Sequence, residues 1–186
     1  MTIEEYPWQA ALLDNNGDAF CGGTIIGKRF ILTAQHCVVH FAPQYVGVGK
    51  SRKSAFVISD GSSSAPIRVE AHIKYPRYDP MSDGIMGKDT ALLVLTQPLT
   101  FSKLVRSIPI ADSFDSTFTS PGRKAFVSGW GSTRYGNDNY PDYLRAARIK
   151  IVSNKFASKS GLFMNADQLA AGQFPGAGRS EYLKQK

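Results

Sequence analysis

Four side chains able to do chemistry crowd into one short stretch: Cys21, His36, Cys37 and His40. Two thiols 16 residues apart have two uses. Oxidised, they close a loop for which a disulfide contributes roughly 3 kcal/mol in the chain-entropy account. Reduced, and joined by the histidines, they offer the ligand types of a zinc site. The spacing fits no common two-plus-two ligand pattern, and the neighbours His36 and Cys37 are poorly placed to face one tetrahedral ion together, so no metal is expected. A further candidate stands far away. Asp89 opens the apolar run Ala91-Leu92-Leu93-Val94-Leu95, where a carboxylate is costly to bury without a hydrogen-bonding partner. Taken singly, a histidine beside a cysteine is commonly a packed residue, and an aspartate before a strand is commonly a turn cap.

Such residues need a frame, and the chain offers mostly strands. Trp8–Leu13, Gly23–Ile26, Phe30–Thr33, Gln44–Val48, Phe56–Ser59, Ile67–Ile73, Thr90–Leu95, Lys124–Gly129 and Arg145–Val152 are short, and most are rich in β-branched and aromatic residues. Turn formers such as Asn15-Asn16-Gly17, Asp60-Gly61, Pro98 and Pro121-Gly122 separate them. Only Ala34–Val39 and Asn154–Lys159 read as helical, the second with Ser153 as N-cap. Many short strands with little helical periodicity predict an all-β sandwich or closed barrel. The Pro- and Ser/Thr-rich stretch Ile108–Pro121 interrupts them. A single domain over 1–186 is expected, with an N-terminal barrel over about 6–108, a linker over 109–121 and a second barrel over 122–186.

Size and charge exclude several classes. At 186 residues, with 42% hydrophobic and 20% charged residues, the chain has the make-up of a globular domain. It contains no run approaching the roughly 18 apolar residues a membrane helix needs, so no membrane partner is expected. The start, Met1-Thr2-Ile3-Glu4-Glu5, lacks the basic and apolar regions of a signal peptide. Residues 1–100 carry 9 Lys/Arg and 9 Asp/Glu, whereas residues 101–186 carry 13 and 6, so the net +7 lies wholly in the second half. An acidic partner would fit that asymmetry. The basic positions are scattered and no stacking array accompanies them, so nucleic acid is not expected.

Five segments change the weight of these readings: Tyr6-Pro7-Trp8-Gln9-Ala10, Cys21-Gly22-Gly23-Thr24-Ile25-Ile26, Leu32-Thr33-Ala34-Gln35-His36-Cys37, Lys88-Asp89-Thr90-Ala91-Leu92-Leu93-Val94-Leu95 and Ser128-Gly129-Trp130-Gly131-Ser132. In this order and at about this spacing, the chain resembles the trypsin-like, chymotrypsin-family serine proteases, over residues 6 to about 178. The resemblance implies a double six-stranded antiparallel β-barrel with an incomplete second barrel. It implies a Cys21–Cys37 disulfide, with His36 as general base and Asp89 orienting it and stabilising the imidazolium as it forms. It also implies peptide or protein substrates, no cofactor, and an extracellular, secreted setting in which a disulfide persists, although no signal peptide is present.

Departures from the family pattern carry expectations of their own. The run Leu169-Ala170-Ala171-Gly172-Gln173-Phe174-Pro175-Gly176-Ala177-Gly178 resembles the approach to the nucleophile loop, yet no Gly-Asp-Ser-Gly-Gly segment follows. Ser180 has neither Gly-Asp before it nor Gly-Gly after it and is not nominated. The oxyanion-hole donors belong to that same loop. No small-apolar activating N-terminus and no aspartate beside the nucleophile are present either. Ala146, and the pair Ala157 and Ala170, stand where the family usually keeps cysteines, and the Lys50–Glu70 stretch has few carboxylates for calcium. The expectation is a serine endopeptidase family member, truncated before its nucleophile loop and inactive as this chain. The alternative is a pseudoprotease that binds a protein as inhibitor or decoy. An opened second barrel should leave Phe126, Trp130, Ile149 and Ile151 uncovered.

Overall fold

A computed structural model describes residues 2–58, 65–76, 88–112, 116–133, 140–159 and 168–172. In chain order the first elements are β1 (Gln9–Leu13), β2 (Ala19–Gly27), β3 (Phe30–Thr33), α1 (Gln35–Phe41), β4 (Tyr45–Val48), β5 (Ile67–Lys74) and β6 (Ala91–Leu95). The six strands close into an antiparallel barrel in the order β1-β2-β3-β6-β5-β4, with β1 pairing back onto β4. Closure leaves no free edge. The inward residues Leu12, Ile25, Ile31, Val46, Leu93 and Leu95 are fully buried and form one cluster. In β6 alternate residues point inward, Ala91, Leu93 and Leu95, the period of a strand with one covered face. Gly23 is required at the β2–β3 contact, because a Cβ there would lie 2.6 Å from Ile31 Cγ2 and 3.2 Å from the Leu32 carbonyl.

The second lobe contains β7 (Lys124–Gly129), β8 (Arg145–Val152), α2 (Asn154–Lys159) and β9 (Ala170–Gly172), with the three strands in the order β7-β8-β9. The fold is therefore all-β around one complete six-stranded barrel and one partial sheet. Ser153 caps α2 as its position suggests, its Oγ accepting from Phe156 N at 3.1 Å.

A second apolar cluster joins the lobes: Ile3, Ala11, Leu13, Phe56, Trp130 and Leu144. Trp130 Nε1 and Leu144 N both donate to the Ser51 carbonyl, at 3.2 and 2.7 Å. Beside them the Asp142 carboxylate accepts from Arg52 Nε (2.8 Å), Ser54 N (2.8 Å) and Ser54 Oγ (2.9 Å), while its carbonyl accepts from Lys53 N. These donors hold the Asp142 carboxyl at about 2, well below the usual carboxylate range, with the Ser54 N–H the largest cause.

Four expectations are corrected here. Phe56–Ile58 is not a strand; it follows a 3₁₀ turn over Lys53–Ala55, and residue 59 lies outside the described residues. Phe56 is apolar because it plugs the space above Gly47, where a Cβ would come within 2.4 Å of its ring, and meets Trp130 edge to face at 6.1 Å. Trp130 and Ile151 are buried rather than uncovered, Trp130 by the seam just described. Of the four residues named, Phe126 is 63% exposed and Ile149 is partly covered. β2 also runs longer than Gly23–Ile26, and α1 starts one residue later and ends two later than Ala34–Val39.

Candidate active site

The site is built where three barrel elements end. β3 delivers the chain to α1 through Thr33 and Ala34, and Thr33 Oγ1 donates to the Gly22 carbonyl at 2.8 Å, pinning this corner to β2. α1 then presents His36 and Cys37 in its first turn. From the other side the chain enters β6 through Lys88, Asp89 and Thr90. Thr90 N donates to the Lys88 carbonyl at 2.9 Å, closing a tight turn around Asp89, and Lys88 sits in the left-handed region at φ 62°. Strained backbone of this kind persists only where surrounding contacts fix it.

Fifty-three residues apart in sequence, His36 and Asp89 meet twice. Asp89 Oδ2 lies 2.6 Å from His36 Nδ1, and Asp89 Oδ1 accepts from the His36 backbone N–H at 2.8 Å. Both side chains are 23% exposed, so the pair is sheltered but open to solvent on one side. A carboxylate at Nδ1 favours the tautomer with the proton there, which leaves Nε2 as the basic atom. Nε2 lies 3.5 Å from Cys37 Sγ.

Cys21 and Cys37 form a disulfide with a Cα–Cα distance of 6.2 Å. It ties β2 to the residue after the histidine, so the position of α1 is set by a covalent bond. The same bond bears on the zinc reading. Ligand atoms of Cys21, His36 and Cys37 gather within 4.8 Å, but both sulfurs are spent on each other and neither is a thiolate. His40 lies on the last turn of α1, with its ring 6.4 Å from that of Phe41.

One positioning residue escaped the sequence reading. Gln35 is buried, and its Oε1 accepts from Tyr75 N at 2.5 Å, tying the start of α1 to the end of β5. The Thr90 carbonyl accepts from the same N–H at 3.2 Å. A polar residue at a buried helix start is the one signal that could have exposed it. Ser180 and residues 173–178 lie outside the described residues, as do residues 59–64 of the Lys50–Glu70 stretch.

A family model described as Trypsin matches residues 1–180. The chain belongs to the trypsin family. Among curated relatives of this family, transmembrane protease serine 9 of Rattus norvegicus is 32% identical over 170 residues, 91% of this chain but 15% of that protein. Trypsin beta of Drosophila erecta is 31% identical, covering 86% of this chain and 58% of its own length. Kallikrein-8 of Homo sapiens is 34% identical, covering 80% and 53%. This trypsin-family chain thus spans less than two thirds of each of these three relatives. Among solved structures, mouse neuropsin, a serine protease, superposes with a TM-score of 0.77 at 26% identity, over 96% of this chain and 74% of that one. The shared trypsin-family architecture agrees with the closed barrel and partial second sheet. Among the described residues, no helix is long and apolar enough to cross a membrane.

Proposed function

We propose that this chain carries the proton-handling part of a serine endopeptidase site. His36 is the general base, Asp89 orients it, and the substrate is a peptide or protein chain. The observation that carries the reading is the double contact of one carboxylate with the ring and backbone of one histidine. Nδ1 is held and Nε2 is left to take a proton from a serine hydroxyl and later return it to the leaving amine. A binding decoy has no need of a base held at two points, which favours the enzymatic reading over a pseudoprotease.

Residues 1–186 contain no Gly-Asp-Ser-Gly-Gly segment. A polypeptide of these residues alone therefore lacks the nucleophile and the backbone donors of an oxyanion hole, and it does not hydrolyse peptides. The disulfide requires an oxidising compartment, which supports a secreted setting. The test joins a trypsin-family segment bearing Gly-Asp-Ser-Gly-Gly after Gly178 and measures amide hydrolysis. Activity should appear, vanish with His36→Ala, and fall by about 10⁴-fold with Asp89→Asn, the loss that a wrong tautomer causes in such a triad. Hydrolysis by the 186-residue polypeptide itself, abolished by His36→Ala, would refute the inactivity. A chimera as active with alanine at 36 would refute the assignment of the base.

A further inference from the structure

The outer face of the β7–β8 pair has no role in the reading above. In the antiparallel register Lys124 stands opposite Lys150, and Phe126 stands opposite Arg148. Paired residues share a face, so these four form one compact patch, while Ala125, Val127, Ile149 and Ile151 lie on the other side. All four are exposed, Phe126 at 63%. Two ammonium groups in direct cross-strand opposition destabilise a sheet. Among the described residues neither Lys124 nor Lys150 has an ion pair. Asp142, at the entrance to β8, is already committed to Arg52 and Ser54.

A partner that relieves both the repulsion and the wet ring must bring carboxylates and an apolar side chain together. Same-face side chains along a strand recur every two residues, about 6.6 Å apart, and an extended peptide has the same repeat. Two consecutive same-face positions of such a peptide, a glutamate and an apolar residue, match the Lys124–Lys150 rung and Phe126 one step further along the pair. A sulfated polysaccharide or a nucleic acid duplex would satisfy the cations but leave a lone phenylalanine among them without purpose. We propose that this face docks an extended acidic peptide segment of a partner protein, with a carboxylate between Lys124 and Lys150 and an apolar side chain on Phe126. This inference does not depend on the catalytic assignment of His36 and Asp89.

The test measures fluorescence anisotropy of a labelled peptide alternating glutamate and serine, with one central leucine on the glutamate face, titrated with the 186-residue chain. Binding should saturate at low salt and weaken strongly at about 0.5 M salt. Lys150→Glu should weaken it about tenfold or more while raising the melting temperature, because it turns a repulsive cross-strand pair into an attractive one. Phe126→Ser should weaken it about threefold to tenfold without changing the salt dependence. Lys28→Glu with Lys103→Glu, on exposed positions outside the patch, should leave it unchanged. Failure to saturate, or equal weakening by that control pair, overturns the proposal. So does tighter binding of a heparin fragment or a DNA duplex that ignores Phe126→Ser.

Discussion

Asp89 grips His36 at two atoms, and the two contacts do different work. The bond from the backbone N–H fixes where the carboxylate sits, and the bond at Nδ1 fixes which tautomer the ring adopts. Asp89→Asn should separate them. The amide oxygen can still accept from the backbone, but its NH₂ group then faces Nδ1, and the ring proton moves to Nε2. Nitrogen chemical shifts of the His36 ring, read by NMR on the chain as it is, should therefore change from the Nδ1–H to the Nε2–H pattern. An unchanged pattern would mean that Asp89 does not set the tautomer. Ala42 gives a second residue-scale test. It ends α1 in the left-handed conformation at φ 44°, its N–H donating to the Val38 carbonyl, a place where glycine carries no Cβ penalty. Ala42→Gly should raise unfolding free energy by roughly 1 kcal/mol, measured by urea titration.

At the scale of elements, a covalent bond ties β2 to α1 and a close packing contact seats Phe56 on β4. Replacing both Cys21 and Cys37 by alanine removes the loop constraint and should lower stability by roughly 3 kcal/mol, read as a shift in the urea midpoint. Gly47→Ala forces a methyl against the buried Phe56 ring and should cost roughly 1–3 kcal/mol by the same measurement. These contacts also show what could be read in advance. The short run of β3 and the continuous apolar run of β6 announced themselves as strands, and His36 and Asp89 stood out through the segments around them. Phe56-Val57-Ile58 looked the same as a strand because local periodicity cannot tell a paired run from a plug. Gln35 gave no such signal, since its value lies in one hydrogen bond to Tyr75, 40 residues on. Trp130 was misjudged for the same reason: its covering partners, Phe56 and the Ser51 carbonyl, lie more than 70 residues earlier.

Across the whole molecule, the two lobes are joined by the apolar seam and by Asp142. The carboxyl titrates at about 2 when folded, below its ordinary 3.8, so its stabilising effect is complete above the ordinary value and is lost as pH falls through about 2. Hydrogen exchange between pH 4 and pH 2 should show β7 and β8 losing protection before β1–β6, and Asp142→Asn should produce that loosened second lobe already at neutral pH. Simultaneous loss of protection in both lobes would contradict the strap. Trp130→Ala should weaken the same seam by roughly 3–5 kcal/mol, measured by denaturant unfolding. The closed barrel has one more consequence, for the order of events in synthesis. Its last strand ends at Leu95, and the histidine, the aspartate and both cysteines all precede that point. A nascent chain that has emerged as far as Leu95 already holds every part of the paired base, so the ring and carboxylate can be locked together while the second lobe is still on the ribosome.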